Sequence, residues 1–146
     1  MVSNVRVTMW VSALLGLTLS VVLVWMSAVP AQAQTVEEVN KCQAEIAEVT
    51  ALLNLGPDDP NYINFTNEKD RTGLIAKLES AGEKLERGKY GDALGNLTSV
   101  SEKVNTLVAQ GKLDQADAND ILLPEINDAI ACVQGLIDTQ ATSAAA

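Results

Sequence analysis

The sequence predicts an all-α protein: a small up-down four-helix bundle with a long loop between its first two helices, following an N-terminal signal segment. Three observations predict it. After residue 35, apolar residues recur at spacings of 3 and 4, the period of one helical face. No stretch of that region alternates with period 2, as a half-buried strand would. Glycine, proline and asparagine divide the periodic region into four runs, and four amphipathic helices of this length bury their stripes most simply as an antiparallel bundle.

The N-terminal segment has a different composition. Arg6 is the only charged residue before an apolar stretch from Val7 to Val29, Pro30 interrupts it, and Ala31-Gln32-Ala33 follows as a small-x-small site. This is the order of a secretory signal, so residues 1–33 are read as a cleaved signal peptide and Gln34 as the new N-terminus. The alternative is an uncleaved anchor facing outward, because the apolar stretch is long enough to cross the roughly 30 Å of bilayer hydrocarbon as a helix.

The folded region is read as 34–138. Thr35-Val36-Glu37-Glu38 has the form of a capping box, in which a hydroxyl and a carboxylate three residues apart satisfy free amides at a helix start. Val39, Cys42, Ile46, Val49 and Leu53 form the inner stripe of this first helix, and Gly56-Pro57 is its stop. The stretch Asn54 to Lys69, with two prolines, two aspartates and four asparagines, is read as a loop. A second helix is expected from about Asp70 to Arg87 on Leu74, Leu78, Ala81 and Leu85, ended by Gly88. A third is expected from Tyr90 to Gln110 on Ala93, Leu97, Val100, Val104 and Leu107, ended by Gly111. Asp114 offers an N-cap for a fourth, with Leu122, Ile126, Ala129, Val133 and Leu136 inside and a kink or break expected at Pro124. Residues 139–146 are read as a disordered tail.

Two cysteines in an exported chain suggest a disulfide. In an up-down bundle the first and last helices are antiparallel. Cys42, early in the first helix, and Cys132, late in the fourth, therefore stand at the same height, and a bridge between them is expected. No C-x-x-C pair and no histidine is present, so neither a redox motif nor a common zinc set is available.

Composition excludes much else. All 19 acidic residues but only 9 of the 10 basic ones follow Ala33, a net charge of −10 that disfavours nucleic acid as a partner. The lack of histidine removes the commonest general base and both histidine-dependent nucleophile arrangements. No catalytic residue, metal ligand or cofactor is assigned. Asp114, Asp117 and Asp120 lack the alternate acids and the glycine of a calcium-binding loop and are read as helix N-terminal charges. Within the loop, Tyr62, Ile63 and Phe65 are apolar. They either pin the loop over one end of the core or form a ligand-contacting lip, and they are the candidate binding residues.

The segment Gly73-Leu74-Ile75-Ala76-Lys77-Leu78, then Ala81, then Leu85-Glu86-Arg87-Gly88-Lys89-Tyr90, Ala93-Leu94, Leu97, Val104, Gly111-Lys112-Leu113, Ala116 and Ala118 resembles the FIMAH helical module of secreted bacterial hydrolases and surface proteins. The resemblance covers about half the chain, from Gly73 to near Ile130, and rests on core and turn positions. It implies a helical fold and a non-catalytic accessory or interaction role. This chain departs from the pattern in adding an N-terminal helix with Cys42, and it is expected to act without an attached enzyme.

The expected function is an exported, non-enzymatic binding module of the cell envelope or extracellular space, acting on a protein or an envelope polymer as a monomer. A membrane is expected to be touched only through the N-terminal segment, if it is uncleaved. The alternative is a secreted inhibitor of an extracellular enzyme. Mass spectrometry of the protein recovered from cells should give the mass of residues 34–146; a full-length mass in the membrane fraction would establish the anchor instead.

Overall fold

A computed structural model describes residues 31–145, with side-chain surroundings from Val36 onward. The apolar stretch Val7–Val29, read from the sequence as a signal, lies outside the described residues. The folded unit is Thr35–Ala146. Its elements are α1 (Ala31–Leu53), α2 (Glu68–Glu86), α3 (Tyr90–Ala109), a π-helical segment (Asp117–Leu122) and α4 (Leu123–Ala144). No strand is present among the described residues, and the fold is the expected all-α four-helix bundle.

The predicted stripes form the core. Every stripe residue named above is buried except Val39, which is half-buried at the edge, and all pack into one apolar cluster. No polar or charged residue is buried among the described residues. The core is almost wholly aliphatic, with Phe65 its one aromatic member. Four buried residues were not in the stripes: Ile63 and Phe65 from the loop, Leu113 from the turn before the π segment, and Ala118 within it.

Two turns are built alike. At Gly88 (φ 70°) and Gly111 (φ 66°) the chain enters the left-handed region, where a side chain would be strained. Around them Lys89 N–H donates to Lys84 O and Gly88 N–H to Leu85 O, and Lys112 N–H donates to Leu107 O and Gly111 N–H to Val108 O. This paired closure satisfies the last carbonyls of α2 and α3; three residues then lead into α3, and seven lead from α3 to the π segment. The pairs α2–α3 and α3–α4 are accordingly packed closely along their lengths.

The helix ends differ from the sequence reading in four places. The first helix runs back through Thr35 to Ala31, so Thr35 is a helix-interior residue and not a cap. α2 begins two residues earlier than expected, because the Asn67 side chain accepts from Lys69 N–H at 3.0 Å and so acts as its N-cap. At Pro124 the chain neither breaks nor stops. Proline offers no amide and crowds the carbonyl four residues back, and the preceding turn widens to π spacing, with Leu123 N–H donating to Ala118 O. The last helix also continues to Ala144 in place of a disordered tail, and the hydroxyls of Thr139, Thr142 and Ser143 donate to the carbonyls four residues before them.

Cys42 and Cys132 form a disulfide with Cα atoms 5.4 Å apart. The bridge joins the middle of α1 to the middle of α4, and further along α1 Glu45 and Glu48 approach Glu125 near the start of α4. The two helices are therefore antiparallel, as the bundle topology requires. Closing 90 residues of chain removes unfolded-state entropy worth at most about 4 to 5 kcal/mol. Leu78, Leu97 and Ile126 show no exposed surface. Replacing any one of them by Ala should cost about 2 to 5 kcal/mol in urea denaturation, and a cost below about 1 kcal/mol at most of them would remove them from the core.

Candidate functional site

The loop between α1 and α2 is ordered by a series of local bonds. Two successive turns, Asp59 N–H to Gly56 O and Tyr62 N–H to Asp59 O, fold the Gly56–Tyr62 stretch, and the Asp59 carboxylate accepts from Asn61 N–H at 2.8 Å. Beyond them Phe65 pairs with Leu113 in an isolated antiparallel bridge, and Thr66 N–H donates to Lys112 O at 2.9 Å. The left-handed turn at Gly111 is what sets Lys112 and Leu113 beside the loop.

Arg71, in the first turn of α2, fixes the rest. Its Nη2 donates to Ile63 O at 2.9 Å, and its guanidinium lies 4.8 Å from the Tyr62 ring centre and 5.4 Å from that of Phe65. Its side chain is only 11% exposed, so the cation meets the two rings with little water between. Glu68 lies 3.8 Å from its Nε, a long ion pair, and Nε has no hydrogen-bond partner. Asp70 beside it is held by Lys103 Nζ at 3.2 Å, across the α2–α3 interface.

The three candidate binding residues thus have unequal fates. Ile63 and Phe65 are buried core residues, which is the loop-pinning reading and removes both from a ligand-contacting lip. Tyr62 is half-buried and is the one of the three that still offers surface. Arg71 was missed in the sequence, although a signal existed: a cation in the first turn of a helix opposes the macrodipole and calls for another reason to be there. The aromatics six and nine residues upstream supply it.

Beside the Phe65–Leu113 bridge is an open depression of about 650 Å³ lined by Asn64, Thr66, Val108, Lys112, Asp114 and Gln115. The aspartates near it serve the backbone. Asp114 accepts from Ala116 N–H at 2.7 Å as a helix cap, and Asp117 accepts from Asn64 N–H at 3.4 Å, tying loop to π segment.

A different acidic group arises from packing. Glu45 and Glu48 of α1 and Glu125 of α4 each place a carboxylate oxygen within 4.8 Å of the others. Their oxygens are the donors a hard cation prefers, and all three side chains reach solvent. They belong to an uneven distribution of charge. Residues 115–144 carry five acids and no base, and residues 35–53 four acids and one base. The four ion pairs among the described residues, Arg71–Glu68, Lys84–Asp92, Arg87–Glu83 and Lys103–Asp70, all lie on α2, α3 and the turn between them.

Comparison of the chain with family models, with curated proteins and with solved structures yields no match. The disulfide fits an oxidising, extracellular-type compartment. Among the described residues no helix is long and apolar enough to cross a membrane. Arg71→Ala should lower stability by about 2 to 3 kcal/mol through loss of two ring contacts and of the bond to a loop carbonyl. Arg71→Lys should recover less than half of that, because an ammonium cannot cover two rings and reach Ile63 O together; urea titration of both variants checks it.

Proposed function

We propose that this chain is an exported, non-enzymatic binding module that contacts a protein or an envelope polymer through the face formed by the Asn54–Asn67 loop. The observation that carries this reading is the latch. Arg71 and the Phe65–Leu113 bridge hold the loop in one conformation with Tyr62 partly exposed on it. A pre-ordered loop loses little entropy on binding, and tyrosine is among the residues most often dominant in interfaces. The adjacent depression at Asn64, Thr66 and Lys112 adds polar groups to the same face. The resemblance to the FIMAH module points to the same class of role, an accessory interaction domain.

A second reading rests on the same loop. A rigid segment with an aromatic residue, on a frame braced by a disulfide, is a form suited to filling the cleft of an extracellular enzyme, so a secreted inhibitor is the alternative. Loss of activity of co-secreted hydrolases on adding the pure domain would favour it.

Affinity capture from envelope extract with the protein as bait tests the first reading. Tyr62→Ser should reduce recovery of the captured partner by about tenfold or more, whereas the exposed, distant Asp138→Asn should leave it unchanged. Equal recovery with both variants would place the contact elsewhere on the bundle.

A further inference from the structure

α1 is attached to the bundle in a way the other helices are not. The pairs α2–α3 and α3–α4 pack with their backbones close together, and α1 approaches α4 at the bridge, where the Cα atoms of Cys42 and Cys132 are 5.4 Å apart. What holds α1 is an apolar row, with Cys42, Ile46, Val49 and Leu53 buried and Val39 and Leu52 packed beside them, and one covalent bond to α4 at Cys132. Its connection to α2 is the whole Asn54–Asn67 loop, so the short turns that tie α2 to α3 have no counterpart here.

The same seam contains an opposing force. Within two helical turns of the bridge, Glu45, Glu48 and Glu125 converge to within 4.8 Å. None of the ion pairs among the described residues includes any of the three. Like charges at this spacing repel, and they do so across the α1–α4 boundary, since two of the carboxylates are on α1 and the third is on α4. The covalent bond and the carboxylates therefore act on the same pair of helices in opposite directions.

We infer that the Cys42–Cys132 disulfide is a redox latch on α1: its reduction frees α1 from α4 while α2, α3 and α4 stay packed. The reductant is a dithiol. Its thiolate attacks Sγ of Cys132, the half-buried member of the bridge, where Cys42 is buried. A mixed disulfide forms and Cys42 leaves as a thiolate that takes up a proton. The second thiol of the reductant then displaces Cys132, which also ends as a thiol. Two electrons pass to the protein and the dithiol becomes a disulfide. With the covalent tie gone, only the apolar row holds α1 against the carboxylate repulsion, and the surface covered by Ile46, Val49 and Leu53 opens to solvent.

Hydrogen exchange followed by mass spectrometry on the intact protein, oxidised and then reduced in place with dithiothreitol, tests this. Amides of residues 36–53 should exchange at least about tenfold faster after reduction, while those at the centres of α2, α3 and α4 change less than about threefold, the behaviour of a separately opening unit. The triple variant Glu45→Gln, Glu48→Gln, Glu125→Gln, reduced in the same way, should return most of the protection of α1. Loss of protection in all four helices together, or in none, would overturn the latch. An unchanged response in the glutamine variant would overturn the role of the carboxylates in it.

Discussion

The covalent bond between Cys42 and Cys132 ties the first helix of the folded chain to the last, and the position of α1 on the bundle depends on that closure. α2 and α3 are joined by a three-residue turn, α3 and α4 by a seven-residue connection and the π segment, and they pack as consecutive hairpins. α1 is joined to them by a loop of more than a dozen residues, which by itself leaves its position open. The bridge removes that freedom in the unfolded chain as well as in the folded one, because it closes a loop of 90 residues. With α1 held against α4, its four buried side chains complete an otherwise three-helix core.

An interior made almost wholly of aliphatic side chains imposes a second constraint. Among the described residues no polar residue is fully buried; Arg71 and Asp70 are largely covered, and the other charges lie at the surface in an uneven pattern. Bases neighbour acids on α2 and α3 and form ion pairs; α1 and α4 carry acids nearly alone. The disulfide thus crosses the seam where electrostatics favours it least. Surface ion pairs contribute little each, so the imbalance matters less for total stability than for which helix is the weakest attached.

The loop shows how an irregular segment becomes a defined surface. Its backbone groups are satisfied locally by turns and by pairing to Lys112 and Leu113, and its apolar residues are divided between core and surface. Arg71 links these two tasks by bonding the loop carbonyl and covering both aromatic rings at once. The binding role proposed for this face rests on the rigidity of the loop and on the aromatic edge of Tyr62.

The number of helices, their inner stripes and the glycine stops at Gly88 and Gly111 were legible in the sequence, because a helix's apolar period and its termination are set by residues within a few positions of each other. The pairing of the cysteines was legible too, since antiparallel first and last helices and two level positions leave one simple bridge. The loop residues Tyr62, Ile63 and Phe65 were visible only as apolar residues in a polar stretch. Whether each would be buried or exposed depended on contacts with Arg71 and Leu113, the latter some fifty residues away. The wider π turn before Pro124 was likewise undecided, because a break, a kink and an extra residue in the turn all answer the missing amide. The meeting of Glu45, Glu48 and Glu125 was decided by tertiary structure alone: each residue advances about 100° around its helix, so which outward carboxylates face one another depends on how two helices are rotated, and that rotation is set by the packing of the core.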